Sequence, residues 1–143
     1  METSKKGIDL IKSFECFRAK AYLCPAGVLT IGYGHTANVK SSQIVTQQQA
    51  EDLLRIDLID TEQAVCNLVK SQLTQNQFDA LASFVFNCGY GNFQKSTLLK
   101  RVNANTKDFV GIREAFMMWN KAKGNILPGL TRRRKEEADL YEK

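Results

Sequence analysis

Ala21-Tyr22-Leu23-Cys24 and Val28-Leu29-Thr30-Ile31-Gly32-Tyr33-Gly34, separated by Pro25-Ala26-Gly27, decide the fold class. Two β-prone stretches around a Pro/Gly turn predict a hairpin, with the glycines ending or bending its second strand. Upstream, Ile8, Ile11, Phe14 and Cys16 or Phe17 recur at near-helical spacing from Ser4 to about Arg18, so a short helix ends close to Glu15. Residues 36–45 have no clear period and read as loop or a weak third strand.

From Thr46 onward the pattern is helical. Thr46 with Gln49 is a capping box, and Ala50, Leu53, Leu54, Leu58, Val65 and Leu68 form one apolar stripe. That stripe predicts a helix over about 47–68, long enough to link two lobes. Thr74 with Gln77 repeats the box ahead of Phe78, Leu81, Ala82, Val85 and Phe86, a helix that stops near Gly89 and Gly91. A shorter helix around Thr97–Val102 follows, then one from about Lys107 to Lys123 closed by Gly124, then a last one after Pro128-Gly129 through Tyr141. The expected class is α+β, predominantly helical, in one domain spanning 1–143. Within it, a small helix-plus-hairpin lobe over about 12–45 joins a larger helical lobe over about 74–143 that takes in the N-terminal helix.

Composition narrows the partners. A 143-residue chain that is 43% hydrophobic, with nine Gly and two Pro, can bury a real core, which excludes collagen-like and disordered readings. Its apolar runs span only a few residues, and Met1–Gly7 lacks the apolar stretch of a signal peptide, so neither membrane insertion nor a signal peptide is expected. Twenty Lys+Arg against fifteen Asp+Glu gives +5, which favours polyanionic partners. The run Arg132-Arg133-Arg134-Lys135, balanced by Glu136 and Glu137, reads as a solvated helix face. Cys16, Cys24, Cys66 and Cys88 form no CxxC pair and the single His35 offers little to a zinc site, so no metal is expected. The default is four reduced thiols, Cys66 and Cys88 being small buried hydrophobes, although an even count allows two bridges.

One constellation carries chemistry: Glu15, Cys24, Thr30 and Gly32-Tyr33-Gly34-His35. A helix end followed by a hairpin can bring these side chains to one cleft mouth. Glycosidic cleavage needs a carboxylic acid that stays protonated to donate to the leaving oxygen, and a second group that activates water or attacks directly.

The run Phe14-Glu15-Cys16-Phe17-Arg18, with Leu29-Thr30-Ile31-Gly32-Tyr33-Gly34-His35-Thr36, closely resembles the phage lysozymes (endolysins) of glycoside hydrolase family 24. Ser83-Phe84-Val85-Phe86-Asn87-Cys88-Gly89, with Phe93 and Ser96-Thr97-Leu98-Leu99, looks like that family's central segment. Leu127-Pro128-Gly129-Leu130-Thr131-Arg132-Arg133-Arg134 looks like its C-terminal one. The resemblance implies a lysozyme-like fold and a muramidase that cleaves the β-1,4 bond between N-acetylmuramic acid and N-acetylglucosamine in bacterial peptidoglycan. It implies Glu15 as catalytic acid and Thr30 as the group that helps place the attacking water. Cys24 stands at a catalytic position usually held by Asp, and Cys16 where glycine is common. As base, Cys24 would give inversion at the anomeric carbon; as nucleophile, retention. By the same matching Thr36, Phe86 and Ser96 line the saccharide groove, and His35 pairs with Asp57. The residue-level readings of the groove three are a loop polar group, a core aromatic and a helix cap.

The resemblance implies no cofactor. The expected partner is bacterial peptidoglycan, with no nucleic acid, and the chain is expected to be a monomer. It would wait in the host cytoplasm until release and act on the wall in the periplasm. A non-catalytic peptidoglycan-binding relative and a chitinase-like hydrolase are the alternatives.

Overall fold

The computed structural model describes residues 1–143. The elements are α1 (Lys5–Glu15), β1 (Arg18–Leu23), β2 (Leu29–Gly32), α2 (Gln47–Leu68), α3 (Gln75–Cys88), α4 (Tyr90–Gln94), α5 (Thr97–Ala104), α6 (Phe109–Met117), β3 (Lys121–Ala122), β4 (Asn125–Ile126) and α7 (Pro128–Tyr141). The class is the predominantly helical α+β one read from the sequence. The chain divides into two compact units, Asp9–Ile59 and a second made of Met1–Ile8 with Asp60–Lys143. No helix is long and apolar enough to cross a membrane.

In the smaller unit β1 and β2 pair antiparallel, Tyr22 opposite Thr30 and Leu23 opposite Leu29. The register slips between Arg18 and Tyr22, so β1 carries an irregularity that sharpens its twist. Residues 36–45 do supply a weak third strand: Lys20 bridges Ile44, and Val45 N–H donates to Ala19 O at 2.9 Å. The Thr46 capping box forms in both directions, with Gln49 N–H donating to Thr46 Oγ1 at 3.1 Å and Thr46 N–H to Gln49 Oε1 at 2.9 Å. Ile11, Ile31, Tyr33, Val45, Ala50, Leu54 and Leu58 are buried and make the core of this unit. Lys12 ties α1 to α2 through Glu51 at 3.0 Å, and this hydrogen bond raises its pKa.

In the larger unit α3 packs on α7, α7 on α6, and α6 on α5. Phe84 is the hub, meeting Phe116 and Trp119 edge-on at 5.8 Å and Phe93 at 6.0 Å. Each such pair adds about 0.5–1.5 kcal/mol beyond its buried area. The Thr74–Gln77 capping box starts α3. The start of α1 is fastened here too: Ser4 donates its N–H to Asp79 Oδ1 at 3.0 Å and its hydroxyl to Oδ2, while Thr3 N–H donates to Glu62.

Four expectations need correction. The helix expected from 107 to 123 ends at Met117, because Lys123 (φ 51°) and Gly124 (φ 80°) form the two-residue turn of a small hairpin, β3–β4. Two successive positive φ angles suit a tight hairpin, and glycine accepts the second at no steric cost. Cys66 is exposed and Cys88 half-buried, so neither is a core hydrophobe, and all four thiols are free. Phe86 is half-exposed, unlike its neighbours Phe84 and Val85. The largest departure is the basic run of α7, where Arg134 and Glu137 are 0% exposed and Arg133 is 4%. Arg133 Nε lies 3.3 Å from Glu137 Oε2 and Arg134 Nε 3.0 Å from Oε1, while Ser83 Oγ donates to Oε2 at 2.5 Å. Arg134 also lies over the Phe84 ring at 4.9 Å. An i, i+3 and i, i+4 charge pattern normally marks a wet face, but here it neutralises a desolvated one.

Candidate active site

Glu15 is the last residue of α1, and its side chain is half-buried. The chain then turns at once, with Cys16 at φ 40°. This is the left-handed residue that closes a helix, a place that favours glycine over any residue with a Cβ. The family's common glycine at this position therefore has a backbone reason, and Cys16 fills it under strain.

On the hairpin side, Ile31 and His35 exchange N–H to carbonyl bonds at 2.9 Å in both directions. So tight a loop needs left-handed backbone at Gly32 (φ 66°) and Gly34 (φ 84°). A Cβ on Gly34 would stand 3.2 Å from Glu15 Oε2, so glycine lets the loop backbone come up against the carboxylate.

Cys24 follows β1 and opens the turn, its N–H donating to Val28 O at 3.0 Å and its carbonyl accepting from Gly27 N–H at 2.8 Å. The backbone N–H groups of Val28 and Ala26 hold its thiol below the ordinary range. Donors aimed at sulfur favour the thiolate, the form that can act as base or nucleophile. Thr30 is 4% exposed and donates its hydroxyl proton to Val28 O at 3.0 Å, which leaves its lone pairs as acceptors. The hairpin thus brings together a polarised thiol and an acceptor oxygen, and its far end lies against the Glu15 carboxylate.

His35 takes no part in that set. Its Nδ1 faces Asp57 Oδ2 at 2.9 Å and its Nε2 faces Ala37 O at 2.9 Å. Both ring nitrogens are occupied, so the ring fastens the loop to α2. Asp57→Ala is expected to cost about 1–2 kcal/mol, a charged hydrogen bond lost at a partly buried site. A urea midpoint unchanged by this substitution would remove the pair as a fastening.

Thr36 is exposed in the loop after His35. In the larger unit, half-exposed Phe86 leaves α3 a partly free aromatic face. Ser96 is 3% exposed, and its hydroxyl donates to Phe93 O at 2.7 Å while accepting from Leu99 N–H at 3.0 Å. The Ser96 hydroxyl thus caps the start of α5. The sequence reading passed over Asn87, an exposed amide whose Oδ1 accepts from buried Arg134 Nη2 at 2.6 Å.

The phage lysozyme family profile matches residues 12–137. An endolysin of Acyrthosiphon pisum secondary endosymbiont phage 1 is 47% identical over 146 residues, covering 99% of each chain. The endolysin of Salmonella phage P22 is 38% identical over 143 residues, covering 96% of this chain and 97% of its own. Among solved structures, the muramidase domain of SpmX from Asticaccaulis excentricus superposes with a TM-score of 0.92 at 42% identity, covering 99% of this chain and 98% of that one. Full-length identity at this level, on the same fold, means that the chain belongs to the phage lysozyme family.

Proposed function

We propose that this chain is a muramidase that hydrolyses the β-1,4 bond between N-acetylmuramic acid and N-acetylglucosamine in bacterial peptidoglycan, lysing the cell wall. The observation that carries the chemistry is the polarised Cys24 thiol beside Thr30, on the hairpin whose end abuts Glu15. Glu15 gives its proton to the leaving glycosidic oxygen. Water held by the Thr30 lone pairs loses a proton to the Cys24 thiolate as its oxygen attacks the anomeric carbon, so the product inverts. The endolysin and muramidase relatives support the substrate class. A net charge of +5 would draw the enzyme to an anionic wall, an attraction that salt weakens. The chain acts as a monomer, held in the host cytoplasm until release and working on the wall from the periplasm. Thr36 in the smaller unit, and Phe86 and Ser96 in the larger one, each contact saccharide.

Reducing-end release from purified peptidoglycan tests the activity, and the anomer first released, read by NMR before mutarotation, tests the mechanism. The β substrate should yield the α anomer first; the β anomer would make Cys24 a nucleophile. Cys24→Ala should lose about 10²-fold in kcat, and Cys24→Asp should retain activity. Full activity in Cys24→Ala would take this residue out of the reaction.

A further inference from the structure

The hairpin carries a cation that the catalytic scheme leaves unused. Arg18 is exposed, and its guanidinium carbon lies over the Tyr22 ring, 4.1 Å from the centroid. Other arginines of the chain meet carboxylates: Arg101 reaches Glu114, Arg113 reaches Asp139 and Glu142, and Arg133 and Arg134 reach Glu137. Arg18 instead has an aromatic face behind it. A ring beneath a guanidinium steadies the cation without using its N–H groups, which can still receive a carboxylate with two parallel hydrogen bonds. The register puts this pair beside the chemistry. Tyr22 is directly opposite Thr30, and Arg18 is opposite Gly32, two residues further along the same face of β2. Directly opposed residues share a face with Cβ atoms about 4.5–5.5 Å apart. Cys24 follows Tyr22 by two positions.

We infer that Arg18, braced by Tyr22, is a subsite for a carboxylate of the substrate beside the reacting groups. This rests on the muramidase reading, and the carboxylates it would take are those of the peptide stems that peptidoglycan strands carry. Arg18 then contributes to specificity, favouring strands that bear acidic stems over neutral glycan.

The test compares native peptidoglycan with the same material after its carboxylates have been capped as amides, at an ionic strength high enough to screen the general attraction between the +5 chain and an anionic wall. Capping should raise the wild-type KM about fivefold, the size of one accessible charged pair. Arg18→Gln should raise KM on native material by the same factor and erase the difference between the two substrates. Arg18→Lys should recover only part of the preference, since an ammonium cannot offer the planar fork. Tyr22→Leu, checked for folding by circular dichroism, should also narrow the difference. Equal KM changes on both substrates in Arg18→Gln, or a wild type indifferent to capping, would overturn the subsite. Failure of the muramidase reading looks different: the wild type would release no reducing ends from either substrate. The subsite is then judged by binding alone, with Glu15→Gln expected to sediment with native sacculi in preference to capped ones. The double variant Glu15→Gln, Arg18→Gln should show no preference, and a preference that survives in it would again overturn the subsite.

Discussion

Glu15→Gln is expected to lower kcat on peptidoglycan by about 10²–10⁴-fold, because glutamine keeps the shape of the side chain but holds no proton that it can transfer. KM should change little by comparison, since the lost interaction is made while the glycosidic bond breaks rather than when the strand binds. The glutamine amide also remains compatible with the close approach of Gly34, so the loop it abuts need not move. Turbidity loss of wall suspensions and reducing-end release read the same quantity by independent routes. Comparable lysis by the folded variant at equal concentration would refute the role given to Glu15.

The second large effect is on stability. Glu137→Ala should cost about 3–5 kcal/mol, because it leaves the Arg133 and Arg134 guanidiniums buried without their counter-charge. For a chain of this length that corresponds to a Tm lower by about 10 °C or more. Ser83 would lose the acceptor that it reaches at 2.5 Å, so the damage extends into α3. Burial pushes the Glu137 carboxyl above its ordinary range, against the pull of both arginines and Ser83. A carboxyl whose pKa is raised in the fold contributes most below its unfolded value and less as pH rises through its folded value. Glu137→Gln should therefore cost less than Glu137→Ala and should flatten that part of the pH dependence. Thermal melts of the three proteins across pH check all of this, and a loss under about 1 kcal/mol in Glu137→Ala would show the network to be dispensable.

Features with local causes could be read from the chain. Pro25-Ala26-Gly27 between β-prone stretches is a turn wherever it occurs, and the boxes at Thr46 and Thr74 mark helix starts through bonds made within four residues. Glu15 was legible as a helix-end carboxylate for the same reason. The burial of the arginine run depends on residues far apart. Nothing within α7 distinguishes a wet arginine from Arg134, because its burial is decided by Phe84, Asn87 and Cys88, some fifty positions away. The Lys123-Gly124 turn was hidden because a glycine after a helical run signals a cap as readily as a hairpin.

The fastening of Ser4 to Asp79 and of Thr3 to Glu62 has a consequence for the order in which the protein is made. A ribosome releases the first turn of α1 early, at about 5–20 residues per second, but the carboxylates that hold it emerge some sixty and seventy-five residues later. Everything that the smaller unit contains, Asp9–Ile59, is outside before either partner appears. The hairpin with its thiol, its threonine and its arginine can thus assemble while the start of α1 is still untethered. The start of α1 is made before the hairpin and secured after it.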